Sequence, residues 1–258
     1  MNLGFLGSGA ITSAIVTGLN AETPGRHSIL LSPRNAGVAA ALAGRFPGVV
    51  VASSNQEVLD ASETVVVAVR PQIVRSVLAE LHFRPDHHVI SVVAATGVGT
   101  VAKMVAPATK VTRAVPLPSA AKRQCPTGVH PNDPVAVELF AELGTAFAVD
   151  TEEEFEAICA ATATMASYFA FADAIASWLE RRGVAPAKAR QYTAQVLSGL
   201  ADTAAGEPER TFESLASDHA TRGGLNEQVR AYLTERGMFE SVSEALDGVM
   251  RRAAAGRQ

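Results

Sequence analysis

"NLGFLGSGAITSAIVTGL", residues 2–19, decides how this chain begins to fold. Residues 2–6 form an apolar run suited to a buried strand, Gly7-Ser8-Gly9 follows at once, and residues 11–19 carry a helical pattern. Glycines between a strand and a helix permit a tight turn and a close approach of backbone to a pyrophosphate. The helix start then offers unpaired N–H groups and partial positive charge. The dinucleotide fingerprint G-x-G-x-x-G/A places a third small residue at position 12, where this chain has Thr12. The turn therefore reads either as a cofactor fingerprint or as a glycine-bearing connection, and the rest of the chain has to decide.

Beyond this turn, the first half repeats the strand–helix alternation. Strands are expected at 2–6, 28–31, 49–52, 64–69, 89–93 and 110–114, with a further pair at 127–130 and 146–149. Helices are expected at 11–19, 36–46, 55–61, 73–80 and 98–105. "ETVVVAV" and "HHVISVVAA" are continuous apolar runs, as in a parallel sheet covered on both faces. The expectation is an α/β fold, an N-terminal Rossmann-type, doubly wound, mostly parallel sheet over residues 1–150.

After residue 150 strand-like runs disappear. Residues 152–183 contain no proline, with acids early and Arg181-Arg182 before Gly183, a charge order that suits the helix macrodipole. The middle of this stretch is apolar or small nearly all round, and such a helix is normally buried on most faces. Further helices are expected at 186–205, 224–236 and 239–254, making 151–258 an all-helical domain. One four-helix unit cannot easily enclose so apolar a first helix, so this domain is expected to form a homodimer or larger homo-oligomer.

Composition narrows the partners. The 258 residues are 48% hydrophobic and 19% charged with a net charge of −4, which offers no basic field to nucleic acid or anionic membrane. No stretch holds ~18 uninterrupted apolar residues for a membrane span. Cys125 and Cys159 lie far apart, without a C-x-x-C or a nearby histidine pair. Neither a metal site nor a disulfide is expected, and a reducing cytoplasm fits.

The cofactor type is read at the end of the second strand. An NAD site usually places an acid about 20 residues after the glycines to bind the ribose hydroxyls. Here the strand ends in Ser32-Pro33-Arg34-Asn35 without one. Ser32 and Arg34 can pair with a 2′-phosphate that a carboxylate would repel, so NADP(H) is expected; alone, Arg34 reads equally as an exposed turn residue. "AVRPQ" (68–72) closes the fourth strand and would set Val69, Arg70 and Pro71 beside the cofactor, although Pro71 can simply end the strand. Asn55 is expected to cap the following helix, with an adenosine contact as the alternative. In "SDHATRGGLNEQVRAYL" (217–233), successive N–H groups before a helix could hold a carboxylate. On composition alone Gly223-Gly224 reads first as an inter-helix turn, and His219 as a loop histidine.

Taken together and in order, these stretches resemble the pyrroline-5-carboxylate reductases. "LGFLGSGAITSAIVTGL" is similar to the family's start, "SPRN" to its phosphate-binding turn, and Asn55 stands where an asparagine is frequent. "ETVVVAVRPQ" resembles a strand ending in Val-Lys-Pro-Gln, with Arg70 for lysine; "ISVVAA" and "TRAVP" resemble the next two strands. "HATRGGLNE" is similar to the loop Val-Thr-Ser-Pro-Gly-Gly-Thr-Thr, and "RGMFESVSEALDGVMRR" to the family's end. The chain departs at Val115-Pro116-Leu117-Pro118-Ser119, where Met-Pro-Asn-Thr-Pro is usual, and at Met165-Ala166-Ser167-Tyr168, where Gly-Pro-Ala-Tyr is usual. In the loop Arg222 replaces proline, and Leu225-Asn226 replace two threonines.

The resemblance implies NADPH with its pyrophosphate over Gly7, Ser8, Gly9, Ala10 and Ile11, and hydride transfer to the carbon of a small cyclic imine, most simply pyroline-5-carboxylate to proline. An iminium is already electrophilic, so positioning and a proton suffice. Thr221 and Asn226 would carry the catalytic contacts, while Arg222, Gly223, Gly224 and Leu225 bind the substrate. Asn226 donates a hydrogen bond but is no general acid. Competing readings are a reductase of another imine or carbonyl compound, and a catalytically silent nucleotide-binding regulator. A β-hydroxyacid dehydrogenase would need a lysine in residues 152–182, which have none. A deazaflavin-linked reductase shares the first domain type but not the glycine loop near the C-terminus.

Overall fold

The computed structural model describes residues 1–255. They fall into two compact units, Met1–Cys159 and Ala160–Arg252, with the last residues from Ala253 grouped with the first unit.

In the first unit the expected alternation is realised as β1 (Asn2–Leu6), α1 (Ala10–Leu19), β2 (Ser28–Leu31), α2 (Ala36–Arg45), β3 (Val49–Val51), α3 (Asn55–Asp60), β4 (Thr64–Val67), α4 (Pro71–Ala79), β5 (His88–Ser91), α5 (Val98–Met104) and β6 (Lys110–Val115). β7 (Cys125–His130), α6 (Pro134–Ala141), β8 (Gly144–Ala148) and α7 (Glu152–Ala161) follow. The sheet order is β3-β2-β1-β4-β5-β6-β7-β8, parallel except where β7 runs antiparallel to β6. The order reverses between β1 and β4, and such a switch point opens a crevice at the carboxyl ends of the strands. β4 is two residues shorter than expected because Ala68 and Val69 already turn toward α4, which Pro71 opens at its first position.

The continuous apolar runs are explained by two cores, one on each face. Val66, Phe5 and Leu31 point into one, and Val65, Val67 and Leu6 into the other. A period of two thus feeds both layers, and each such side chain contributes about 1.5–3 kcal/mol on burial. α6 is a helix that periodicity passes over. Its start was legible all the same: Pro134 takes the first helical position, and the Asp133 carboxylate accepts the Ala136 N–H at 2.9 Å.

The second unit holds α8 (Met165–Arg181), α9 (Pro186–Gly206), α10 (Phe212–His219), α11 (Leu225–Glu235) and most of α12 (Met238–Ala255). The long helix expected from residue 152 is not continuous: a 3-10 turn at Thr162–Thr164 separates α7 from α8. α10 is also additional to the expected helices; Thr211 caps it by accepting the Ser214 N–H at 3.1 Å. α8 leaves Phe169 69%, Trp178 51% and Tyr168 48% exposed in the single chain. Its apolar side chains are therefore not enclosed by this unit. Glu152–Arg181 contains an 18-residue window of mean hydropathy 1.4, long and apolar enough to cross a membrane by length and composition alone.

Candidate dinucleotide site and glycine loop

Gly7 leaves β1 with φ +103°, a region that side chains disfavour. A Cβ on Gly7 would stand 2.6 Å from the Ala68 carbonyl oxygen, so the β1 turn lies directly against the end of β4. Gly9 is the N-cap residue of α1 and lends no side-chain cap. A Cβ there would meet nothing within 4 Å, leaving space above the first N–H groups of a ten-residue helix. An open, positively polarised helix start is the cradle a pyrophosphate needs. The chain's residues fit the group.

Thr12 has a role that the motif alone does not reveal. It is fully buried, and its hydroxyl donates to the Gly7 carbonyl oxygen at 2.6 Å, bracing the turn that a third small residue would merely leave clear. Ser8 is also buried. Its hydroxyl donates to the Ser32 carbonyl at 2.8 Å, while the Asn35 side chain donates to the Ser8 carbonyl at 2.9 Å. These two bonds tie the β1 turn to the β2 turn. Asn35 has φ 66°, a conformation that asparagine tolerates well. The sequence singled out its turn but not this tether.

Ser32 does not point its hydroxyl outward; at 1% exposure it donates to Asn55 Oδ1 at 2.7 Å. Asn55 is accordingly not the cap of α3. Ser54 is, accepting the Glu57 N–H at 3.1 Å, while the Asn55 side chain reaches back to β2. Arg34 is exposed and makes no ion pair among the described residues. A 2′-phosphate at this end of β2 would meet Arg34 first. Val69 is half-buried beside the glycine turn, Arg70 is exposed, and both lie at the carboxyl end of β4 with Pro71.

In the second unit, residues 220–224 join α10 to α11, so His219 ends a helix rather than lying in the loop. The loop is internally bonded. The Gly224 N–H donates to the Thr221 carbonyl at 2.7 Å, and the Gly223 N–H to the Glu227 carboxylate at 2.5 Å. Asn226 Nδ2 donates to the His219 carbonyl at 2.8 Å. Thr221, Arg222 and Leu225 are exposed, and Asn226 borders a cavity of about 470 Å³ walled by Leu200, Phe212 and Leu215. Among the described residues no cluster of metal-ligating side chains occurs, and neither cysteine forms a disulfide. Burial pushes the Cys159 thiol up to about 11, which keeps it protonated and unreactive near neutrality.

A glycine turn and an open helix start at the switch point of a doubly wound sheet, with arginine rather than an acid after β2, define a dinucleotide-binding protein of the NADP-linked oxidoreductase class. Residues 2–95 match the family model described as NADP oxidoreductase, coenzyme F420-dependent, and residues 152–255 match that for pyrroline-5-carboxylate reductase dimerisation. The pyrroline-5-carboxylate reductase of Pseudomonas aeruginosa is 25% identical over 98% of this chain and 95% of its own length. That of Escherichia coli is 28% identical over 97% of this chain and 96% of its own. The solved pyrroline-5-carboxylate reductase of Coxiella burnetii superposes with a TM-score of 0.86 at 25% identity, covering 100% of this chain and 98% of that one. Over nearly its whole length this chain is similar to the pyrroline-5-carboxylate reductases, and its helical half matches their dimerisation model.

Proposed function

We propose that this chain reduces the C=N bond of 1-pyrroline-5-carboxylate to give proline, with NADPH as the reductant. The observation that carries the reading is the order of its parts. A cofactor turn that fits NADP and a helical half that matches the reductases' dimerisation region lie on one chain, which aligns with those reductases nearly end to end. When bound, NADPH supplies the hydride; the chain's residues hold and orient. The N–H groups of Ala10 and Ile11 face the pyrophosphate, Gly7 and Gly9 keep its approach clear, and Arg34 neutralises the 2′-phosphate with Ser32 and Asn55 behind it. Val69, Arg70 and Pro71 flank the cofactor at the end of β4. On the helical unit, Arg222 is the exposed cation available to the substrate carboxylate, with Gly223, Gly224 and Leu225 shaping the loop. The Thr221 hydroxyl can donate to a neutral imine nitrogen or accept from an iminium N–H, and Asn226 holds a second amide hydrogen as the alternative donor to the neutral imine. No side chain of the loop is a strong acid, so the proton comes from solvent or from the iminium itself.

The exposed aromatic residues of α8 suit a homodimer built through the helical unit, and the two thiols with a net charge of −4 suit a cytoplasmic enzyme without nucleic-acid or membrane partners. Light scattering during size-exclusion chromatography should give at least twice the chain mass.

The deciding assay is NADPH oxidation with pyrroline-5-carboxylate, a six-membered imine and an uncharged imine. Strong preference for the first is expected; tight NADPH binding without turnover of any would overturn the reading. Arg34→Asp should weaken NADPH binding at least tenfold more than NADH binding, the scale of a lost charge-assisted contact; an equal loss for both would remove Arg34 from the site. Arg222→Ala should raise KM for the anionic imine by up to about fivefold, as for an exposed ion pair.

A further inference from the structure

Arg113 of β6 is 2% exposed, and a guanidinium at that depth needs a carboxylate. Glu156 of α7, itself 4% exposed, supplies one at 2.6 Å, and the Phe155 ring lies against the guanidinium carbon at 4.6 Å. Glu152, one turn earlier on α7, adds a second carboxylate at 3.3 Å from the same nitrogen. With a side chain 38% exposed and Glu156 already paired, it is not required for neutrality. It has another contact: its Oε1 accepts the Val98 N–H at 3.1 Å.

Val98 opens α5, and the N-cap residue Gly97 has no side chain with which to satisfy it. Glu152 does so from 54 positions downstream, with its negative charge at the positive end of the helix. Glycine leaves this approach clear: a Cβ on Gly97 would stand 2.8 Å from Glu152 Oε1 and would displace that carboxylate oxygen. The segment held in this way, residues 94–97, leaves the carboxyl end of β5 and contains Ala95 in the left-handed region at φ 53°.

Its location gives this clamp a consequence. β5 lies two strands from β1, about 10 Å away, on the side of the switch point opposite β2. If the 2′-phosphate half of the cofactor lies over β2 at Arg34, the nicotinamide half runs over β4 and β5. This step rests on the cofactor placement proposed above. We propose that Glu152 is a positioning residue for the nicotinamide half. By bracing residues 94–98 against the buried Arg113, it fixes the wall on which the ring rests, without touching cofactor or substrate.

The test uses the full chain and hydrogen–deuterium exchange with NADPH. In the native protein, NADPH should slow exchange both in the β1–α1 turn and in residues 94–100. In Glu152→Ala, protection should persist at the turn and be lost at 94–100. Affinity for adenosine 2′,5′-bisphosphate, which reports the other half of the cofactor, should change less than twofold. kcat for imine reduction should fall about tenfold or more, as a small misplacement of reacting groups can cost. Glu152→Gln keeps an acceptor for Val98 and should recover most of both signals. Gly97→Ala, which presses on the same contact and leaves Glu156 on Arg113, should reproduce the loss if Glu152→Ala folds poorly. The proposal is overturned if NADPH does not protect 94–100 in the native protein, or if protection there survives both substitutions. A matching fall in bisphosphate affinity, or a Glu152→Gln variant no better than alanine, would overturn it too. Should the native protein reduce no imine, the exchange and bisphosphate measurements still decide the role of Glu152.

Discussion

Gly7→Ala should abolish high-affinity NADPH binding and lower thermal stability, whereas Gly9→Ala should impair binding alone. Gly7 has φ +103°, and its added Cβ would meet the Ala68 carbonyl oxygen at 2.6 Å and Val69 Cγ1 at 3.1 Å. The carbonyl cannot retreat freely, because the Ala68 N–H is bonded to the Leu6 carbonyl at 2.8 Å. Backbone strain of about 1–3 kcal/mol adds to that clash. Relief requires the β1 turn to move away from β4, and with it the first turn of α1. A loss of at least about 100-fold in NADPH affinity corresponds to roughly 2.7 kcal/mol, within reach of this displacement. Gly9 has an ordinary φ of −90°, and its added Cβ meets nothing within 4 Å. The methyl would occupy only the space proposed for the pyrophosphate. Calorimetric melting with NADPH titration separates the two. A Gly9→Ala variant that binds NADPH normally would place the cofactor elsewhere.

Arg113→Met is expected to cost about 3–5 kcal/mol of folding stability in urea denaturation, the range for removing one partner of a buried ion pair. The reason is the group left behind: the Glu156 carboxylate is 4% exposed and loses the guanidinium 2.6 Å away. Adding Glu156→Gln to that variant should therefore restore stability rather than reduce it further, because the amide carries no charge to desolvate. Strictly additive losses in the double variant would show that the pair is not coupled. The same cycle with Glu152→Gln should show weaker coupling, since that side chain is 38% exposed and lies farther away at 3.3 Å.

Much of the fold was legible because its signals are local. Gly7 and Pro71 act through their own backbone conformations and Gly9 through its missing Cβ, and the runs 63–69 and 87–95 declare two covered faces through composition alone. α6 and α10 escaped although Asp133-Pro134 and Thr211 announce them, because eight-residue helices give periodicity little to work with. The one-turn break at Thr162–Thr164 escaped for the opposite reason: nothing in a proline-free apolar stretch marks it. Within the candidate site, the glycine turn and the lack of an acid after β2 could be read directly. The bonding of Ser8, Ser32, Asn35 and Asn55 could not, since each partner lies 23–27 positions away and depends on how neighbouring strands align.

Local sequence signals suffice to specify a parallel sheet in the first half with a glycine turn after its first strand, and a helical second half with more apolar surface than one copy encloses. These properties follow from short-range backbone preference and from counts of apolar side chains, which no partner has to be known to evaluate. Tertiary packing alone sets the reversal of β7 beside β6, the bracing of Gly7 by Thr12, and the joining of Val98 to Arg113 through Glu152. Such pairings bring together groups from distant parts of the chain, and their geometry is set by the packing of whole layers, not by the residues that flank them.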